Sequence, residues 1–280
     1  MRRALAKRAA PTGESMLRWI SGIILAFFLV CLLLWGSPFL IKGIVVLVAA
    51  VAMDEFLLIA GSRRKFLKHW VLIGIVFIAT GYFVFLAYSA EDVLRVLAAS
   101  LGSLFILQFG GKDPFEKRVV GLGYHFIGFF YIVLLFTHVG WALGLPHYLF
   151  WIFLLLACTF ASDTGAYIAG HQWGRHKLAP LLSPGKTVEG FVGGLVASIV
   201  AAFIVRAFFY PGYPLSLLVL VALLVGIIGP VGDLSESFLK RGFGVKDSGN
   251  LIPGHGGILD RLDALLFAAP AVYYFARYFG

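Results

Sequence analysis

Apolar residues fill this chain in blocks of about 20, separated by short polar stretches, and that is the length a helix needs to cross roughly 30 Å of hydrocarbon. Nine blocks qualify as candidate spans: residues 19–35, 39–60, 70–88, 93–109, 119–138, 148–170, 188–210, 214–232 and 264–279. The pattern predicts an all-α, polytopic transmembrane helical bundle of about nine spans. The first block follows a basic flank, MRRALAKRAAPTGESMLR, as the apolar core of a signal peptide would. It is long, lacks an A-x-A-like cleavage site and leads directly into further spans, so it reads as a retained first helix. No internal repeat or low-complexity linker divides the chain. Residues 1–150 read as N-terminal transmembrane helices, about five spans. Residues 151–280 read as a C-terminal region with two long loops, 171–187 and 236–260.

Composition agrees with a bilayer: 60% of the 280 residues are hydrophobic and 13% charged, too little polar side chain to coat a soluble globule. The formal charge of +9 raises the question of nucleic acid. The Lys and Arg residues, however, sit in short clusters between apolar blocks and form no basic domain, so topology and anionic phosphate explain them better. With the N-terminus cytoplasmic, 19 of the 23 Lys and Arg residues fall in cytoplasmic segments, as the positive-inside rule requires. Only Lys42, Arg95, Arg206 and Arg277 lie elsewhere, all near span ends. Both long loops then face the cytoplasm, where nucleotides are. Cys31 and Cys158 lie inside apolar blocks without metal-ligand spacing, which argues against a disulfide framework or a zinc site.

Ionisable residues within or beside apolar spans are costly and mark function. Asp163 interrupts the sixth span in ASDTGAY, Asp233 closes the eighth in PVGDLSES, and Asp260 and Asp263 open the ninth in ILDRLD. Asp247 lies in the loop between the last two. Asp260 and Asp263 are three apart and share a face if helical, at a helix N-terminus where anions are favoured. Carboxylates gathered at one membrane boundary repel one another unless cations sit among them. Hard divalent cations are the natural partners, Mg²⁺ with one or two carboxylates plus substrate phosphates. Considered singly, each acid has a plain alternative as a helix cap or an ion-pair partner.

Around the acids runs SFLKRGFGVKDSGNLIPGHGGILDRLD, Ser237 to Asp263. Lys240, Arg241, Lys246 and Arg261 supply cationic donors for phosphate. Six glycines, including Gly256 and Gly257, let backbone N–H groups approach an anion, and His255 stands between two glycines. A basic, glycine-rich topogenic connector has the same composition. The order of residues decides between them: S-x-L-K-R-x₄-K-D-x-G-x₂-I-P-x-H-G-G-I-x-D-R-x-D resembles the signature of the phosphatidate cytidylyltransferase family. GDLSES at 232–237, SDTGAY at 162–167 and SPGKTVEG at 183–190 are similar to further segments of that family, so the resemblance covers roughly residues 160–263. Gly185 stands where the family has Lys and Val188 where it has Trp, which puts Lys186 forward as the phosphate-binding lysine of that segment. Gly185-Lys186-Thr187 ends like a P-loop, but Pro180 occupies the position of the first glycine and no strand precedes it. His125, His138, His147, His171 and His176 lack metal spacing and receive no role.

The resemblance implies a membrane nucleotidyltransferase that converts CTP and phosphatidic acid to CDP-diacylglycerol and pyrophosphate with Mg²⁺, with room for a second cation. The chain is expected to be a multi-pass protein of a bacterial-type inner membrane, with its site facing the cytoplasm as the positive-inside count places it, no nucleic-acid partner as the scatter of its basic residues argues, and room for a homodimer. Asp233 and Asp260 are expected to hold Mg²⁺, with Asp263, Asp163 and Asp247 as further ligands or orienting groups. Lys240, Arg241, Lys246 and Arg261 would bind phosphates. Ser183, Thr187 and Ser237 would serve as hydroxyl donors, Lys186 and Glu189 would belong to the substrate-binding loop, and His255, Gly256 and Gly257 would lie against substrate. Two rivals remain at this level. A CTP-dependent lipid kinase would transfer the γ-phosphoryl group instead, and an ion-coupled transporter would place its acids near the bilayer midplane in matched halves. A scaffold without chemistry would leave the acids unexplained.

Overall fold

The computed structural model describes residues 13–61, 66–86, 90–109, 113–249, 251 and 256–280. Helices dominate: α1 (Gly13–Trp35), α2 (Pro38–Ile59), α3 (Phe66–Phe85), α4 (Ala90–Phe109), α5 (Phe115–Gly128), α6 (Leu135–Ala142), α7 (Tyr148–Trp173), α8 (Val188–Phe209), α9 (Leu215–Gly242) and α10 (Leu259–Phe279). A π-helical segment, Phe129–Leu134, joins α5 to α6 in one continuous rod. Two elements depart from an all-α expectation: strands β1 (Lys177–Ala179) and β2 (Ser183–Thr187) pair antiparallel as a hairpin between α7 and α8. The loop expected over 236–260 is also shorter, because α9 continues to Gly242.

The expectation of about nine spans does not hold. Among the described residues four helical segments are long and apolar enough to cross a membrane: Phe115–Ala142, Tyr148–Trp173, Val188–Phe209 and Leu215–Gly242. The sequence blocks overcounted because apolar length was weighed more heavily than the charges inside it. Helix α2 carries Lys42, Asp54 and Glu55, α4 carries Glu91, Asp92 and Arg95, and α10 carries Asp260, Arg261, Asp263 and Arg277. Of α1 and α3, the apolar lengths Ser21–Trp35 and Ile73–Phe85 lie among the described residues. The protein is a multi-pass membrane protein in which these charged helices pack beside the four spans.

Lipid tails are as apolar as leucine, so burial alone drives little association between helices in a bilayer, and close packing with interhelical hydrogen bonds must serve instead. The α7–α8 seam is built that way. A Cβ added at Gly165 would stand 2.8 Å from the Gly193 carbonyl oxygen, so the two backbones meet at a distance only glycine permits. Ser198 extends the network by donating to the Ala222 carbonyl of α9 at 2.8 Å. On the other side, Trp141 Nε1 donates to the Phe83 carbonyl at 2.7 Å, tying α6 to α3. The large buried side chains Trp151, Phe150 and Tyr213 interlock by ring contacts where the opposite ends of α7, α8 and α9 meet.

Chain direction places the chemistry. Helices α7 and α9 end where α8 and α10 begin, so Asp163, Asp233, Asp260 and Asp263 gather toward one end of the bundle, together with the hairpin. At that end Gly232 lets α9 come so near α10 that a Cβ there would collide with the Asp263 carbonyl.

Candidate active site

Two lysines organise the site, each held by carboxylates. Lys186, on β2, reaches Asp233 Oδ2 on α9 at 2.6 Å, and Ser237 Oγ lies 3.5 Å from Asp233 Oδ1 one helical turn along. Lys240 bridges two acids: its Nζ is 2.6 Å from Glu236 Oε2 and 2.7 Å from Asp260 Oδ1. Glu236 and Lys240 are four apart on α9, the spacing that brings side chains together on one helix face, so that pair is set locally and Asp260 is added by the packing of α10. The Lys240 side chain is 14% exposed and that of Glu236 2%. An unpaired charge in such a place would be expensive; here the two signs compensate each other.

Asp260 is saturated with donors. Besides Lys240 it accepts from Ser248 N at 3.1 Å and Gly257 N at 2.9 Å. Gly256 before it has φ +84°, a left-handed conformation that turns the chain back onto the Asp260 carboxylate. Asp163, Asp233 and Asp263 form the second carboxylate group, near enough to act on one another's charge, with Lys186 and Arg261 acting on Asp163 and Lys240 on Asp263. Asp263 Oδ1 also accepts from Ala264 N at 2.7 Å.

The remaining expected residues divide. Thr187 caps α8, its Oγ1 accepting from Gly190 N at 3.0 Å. Glu189 closes the hairpin, accepting from Arg175 N at 3.0 Å and facing His176 Nδ1 at 2.7 Å. His176 was given no role by its sequence context, yet it is a partner of Glu189. Ser183 lies on β2. Arg241, Lys246 and Asp247 are exposed around the end of α9, and Arg261 is exposed in the first turn of α10. Gly256 and Gly257 lie against Asp260, and His255 falls outside the described residues.

Three participants escaped the sequence reading. Glu236 stood inside GDLSES and Ser248 inside KDSGN, each masked by neighbours with more obvious chemistry. Glu55 came from the N-terminal helices: it is 6% exposed and accepts from Ile258 N at 3.0 Å and Leu259 N at 2.9 Å. A carboxylate inside the apolar run of α2 was the available signal.

Among the described residues no group of three or more His, Cys, Asp or Glu stands ready to hold a metal ion. Mg²⁺ asks less, since one or two carboxylates plus substrate phosphates suffice. The donor chemistry of Asp163, Asp233 and Asp263 fits that requirement. Asp260 fits it less well, because its two oxygens already accept three bonds from the chain, whereas Asp233 is met by Lys186 on one oxygen and only at 3.5 Å by Ser237 Oγ on the other.

Carboxylate-held lysines and clustered acids at one end of membrane-spanning helices are groups whose chemistry suits phosphate and hard cations. The chain belongs to the cytidylyltransferase family, whose model matches residues 16–279. It is 34% identical over 274 residues to the phosphatidate cytidylyltransferase of Bacillus subtilis, covering 94% of this chain and 98% of that protein. It is 49% identical over 124 residues to the phosphatidate cytidylyltransferase of Staphylococcus saprophyticus, and 47% identical over 124 residues to that of Staphylococcus aureus. These two alignments cover 44% of this chain and 46% of each relative, so the chain spans about half the length of the staphylococcal relatives it matches.

Proposed function

We propose that the protein is a phosphatidate cytidylyltransferase, forming CDP-diacylglycerol and pyrophosphate from CTP and phosphatidic acid. The observation that carries this reading is the Asp163–Asp233–Asp263 group standing among Lys186, Lys240 and Arg261 in a chain that matches the family over nearly its whole length. An oxygen of the phosphatidate phosphate attacks the α-phosphorus of CTP, and the bond to the pyrophosphate oxygen breaks. The nucleophile is already an anion, so the reaction needs positioning and neutralisation of charge more than a general base.

Lys186 and Lys240 serve that need as cations fixed by Asp233, Glu236 and Asp260. Being held in place, they reorganise little when negative charge builds up on the phosphates. Arg241, Lys246 and Arg261 meet the outer phosphates from exposed positions. Asp233 and Asp263, with Asp163, would hold Mg²⁺, and Asp260 anchors Lys240 and the loop before α10. When bound, Mg²⁺ would offset charge on the phosphates and help align them. The basic residues at this end of the bundle, and the use of CTP, support a site on the cytoplasmic side of a bacterial inner membrane.

The test uses purified protein with phosphatidic acid, Mg²⁺ and CTP labelled at the α-phosphate. Label passing into lipid with release of unlabelled pyrophosphate supports the reading. Label retained in CDP would mark a γ-phosphoryl kinase and defeat it.

A further inference from the structure

We propose that Glu55, on α2, is a positioning residue of the site: through Ser248 it sets where Asp260 and Lys240 stand. This rests on the cytidylyltransferase reading for its kinetics, but not for its geometry. One Glu55 oxygen accepts from Ile258 N at 3.0 Å; the other accepts from Leu259 N at 2.9 Å and Ser248 Oγ at 3.3 Å. Ser248 is 4% exposed and turns toward Asp260, its Oγ accepting from Asp260 N at 3.3 Å and its own N donating to the Asp260 carboxylate at 3.1 Å. Asp260 then holds Lys240, which holds Glu236. An unbroken line of polar contacts therefore runs from α2, through the loop before α10, to the lysine of α9.

A carboxylate suits this place for two reasons. The first N–H groups of α10 carry the positive end of the helix dipole and need acceptors, and the Ser248 hydroxyl needs one oriented acceptor so that its lone pairs face Asp260 N. An amide has a single acceptor oxygen; Glu55→Gln would aim an NH₂ at an N–H donor on one side or the other. The fit has no slack, since a Cβ at Gly249 would lie 2.9 Å from Glu55 Oε1 and one at Gly257 would collide with Ser248 and Glu55. An anchor that merely fastened α2 to α10 would need neither the hydroxyl link nor the glycines pressed against it.

The experiment compares wild type, Glu55→Gln, Glu55→Asp, Ser248→Ala and the double variant that combines Glu55→Gln with Ser248→Ala, all in nanodiscs, by steady-state kinetics and by amide hydrogen exchange. Glu55→Gln should lower kcat about tenfold or more with KM for CTP within about threefold, and Glu55→Asp should recover part of the loss. Ser248→Ala, which removes the link to Glu55 and the acceptor of Asp260 N but leaves Ile258 N and Leu259 N on Glu55, should lower kcat similarly. The double variant should be no worse than about twice its poorer parent, because the two act in series. Exchange at the Ser248 amide should quicken in Glu55→Gln although Glu55 does not bond that amide. Full kcat in Ser248→Ala, losses that multiply in the double variant, or an unmoved Ser248 amide overturns the proposal. If wild type transfers no cytidylyl group, the proposed function fails, while the exchange result still decides Glu55.

Discussion

Lys240→Met is the sharpest test of how the site is held together. Its ammonium lies 2.6 Å from Glu236 and 2.7 Å from Asp260, and the three side chains are 14%, 2% and 11% exposed, so water screens the pairs little. Removing one partner of a buried ion pair costs about 3–5 kcal/mol, because the other charge stays behind uncompensated. The two acids would not suffer equally. Asp260 keeps Ser248 N and Gly257 N as donors. Lys240 is the donor to Glu236 Oε2, and Glu236 Oε1 is buried with no hydrogen-bond donor among the described residues, so Glu236 is left the less satisfied of the two acids. Lys240→Met should therefore lose about 3–5 kcal/mol of stability. Adding Glu236→Gln should return roughly half of that by deleting the buried anion. The assay is reversible unfolding in mild detergent for the single and double variants, alongside turnover in nanodiscs, where loss of a fixed cation should cost about 100-fold or more. A single variant within about 1 kcal/mol of wild type, the range of surface pairs, would show that Lys240 is not part of a buried ion pair. A double variant less stable than the single would count equally against the pair.

The other expectations address the metal and the helix seam. Asp233→Asn should abolish Mg²⁺-stimulated transfer while the protein still inserts in the membrane, and chelation with EDTA should silence the wild-type enzyme reversibly; activity that survives either treatment removes Asp233 or Mg²⁺ from the proposal. Gly193→Leu should separate α7 from α8, since even a Cβ there would clash with Ala169 across the seam. Overpacking of this kind costs about 1–3 kcal/mol or more, read as a lowered thermal midpoint, and an unchanged midpoint would show that the helices can part freely.

The acids at the span ends were legible because a carboxylate beside an apolar block is costly enough to stand out in any sequence. Lys186 stood out through its place in SPGKTVEG. What the blocks did not disclose was which of them are long and apolar enough to cross a membrane with few charges inside, since α2, α4 and α10 pair apolar length with internal charge and pack beside the four longer apolar segments. The hairpin of β1 and β2 was also hidden: three- and five-residue strands around Pro180 and Pro184 carry too little pattern to separate from a loop. Glu55 was missed for another reason. Its partners Ile258 and Leu259 lie about 200 positions away and contribute backbone N–H groups, which leave no trace in side-chain chemistry.

That omission changes how the site meets phosphate. The sequence put Asp260 and Asp263 at a helix N-terminus, where anions are favoured. In the fold, the N–H groups of Gly257, Ile258 and Leu259 are already taken by Asp260 and Glu55. The start of α10 is thus satisfied by the protein's own carboxylates, and the described groups left for phosphate there are side-chain cations. Of these, Lys186 and Lys240 are each held by acids, and an ammonium has three donors, so each stays fixed with a donor left for a substrate phosphate. A divalent ion held at Asp233 would add positive charge beside Lys186, and a phosphate would meet both. Metal and nucleotide should on this account bind with positive coupling, each tightening the other.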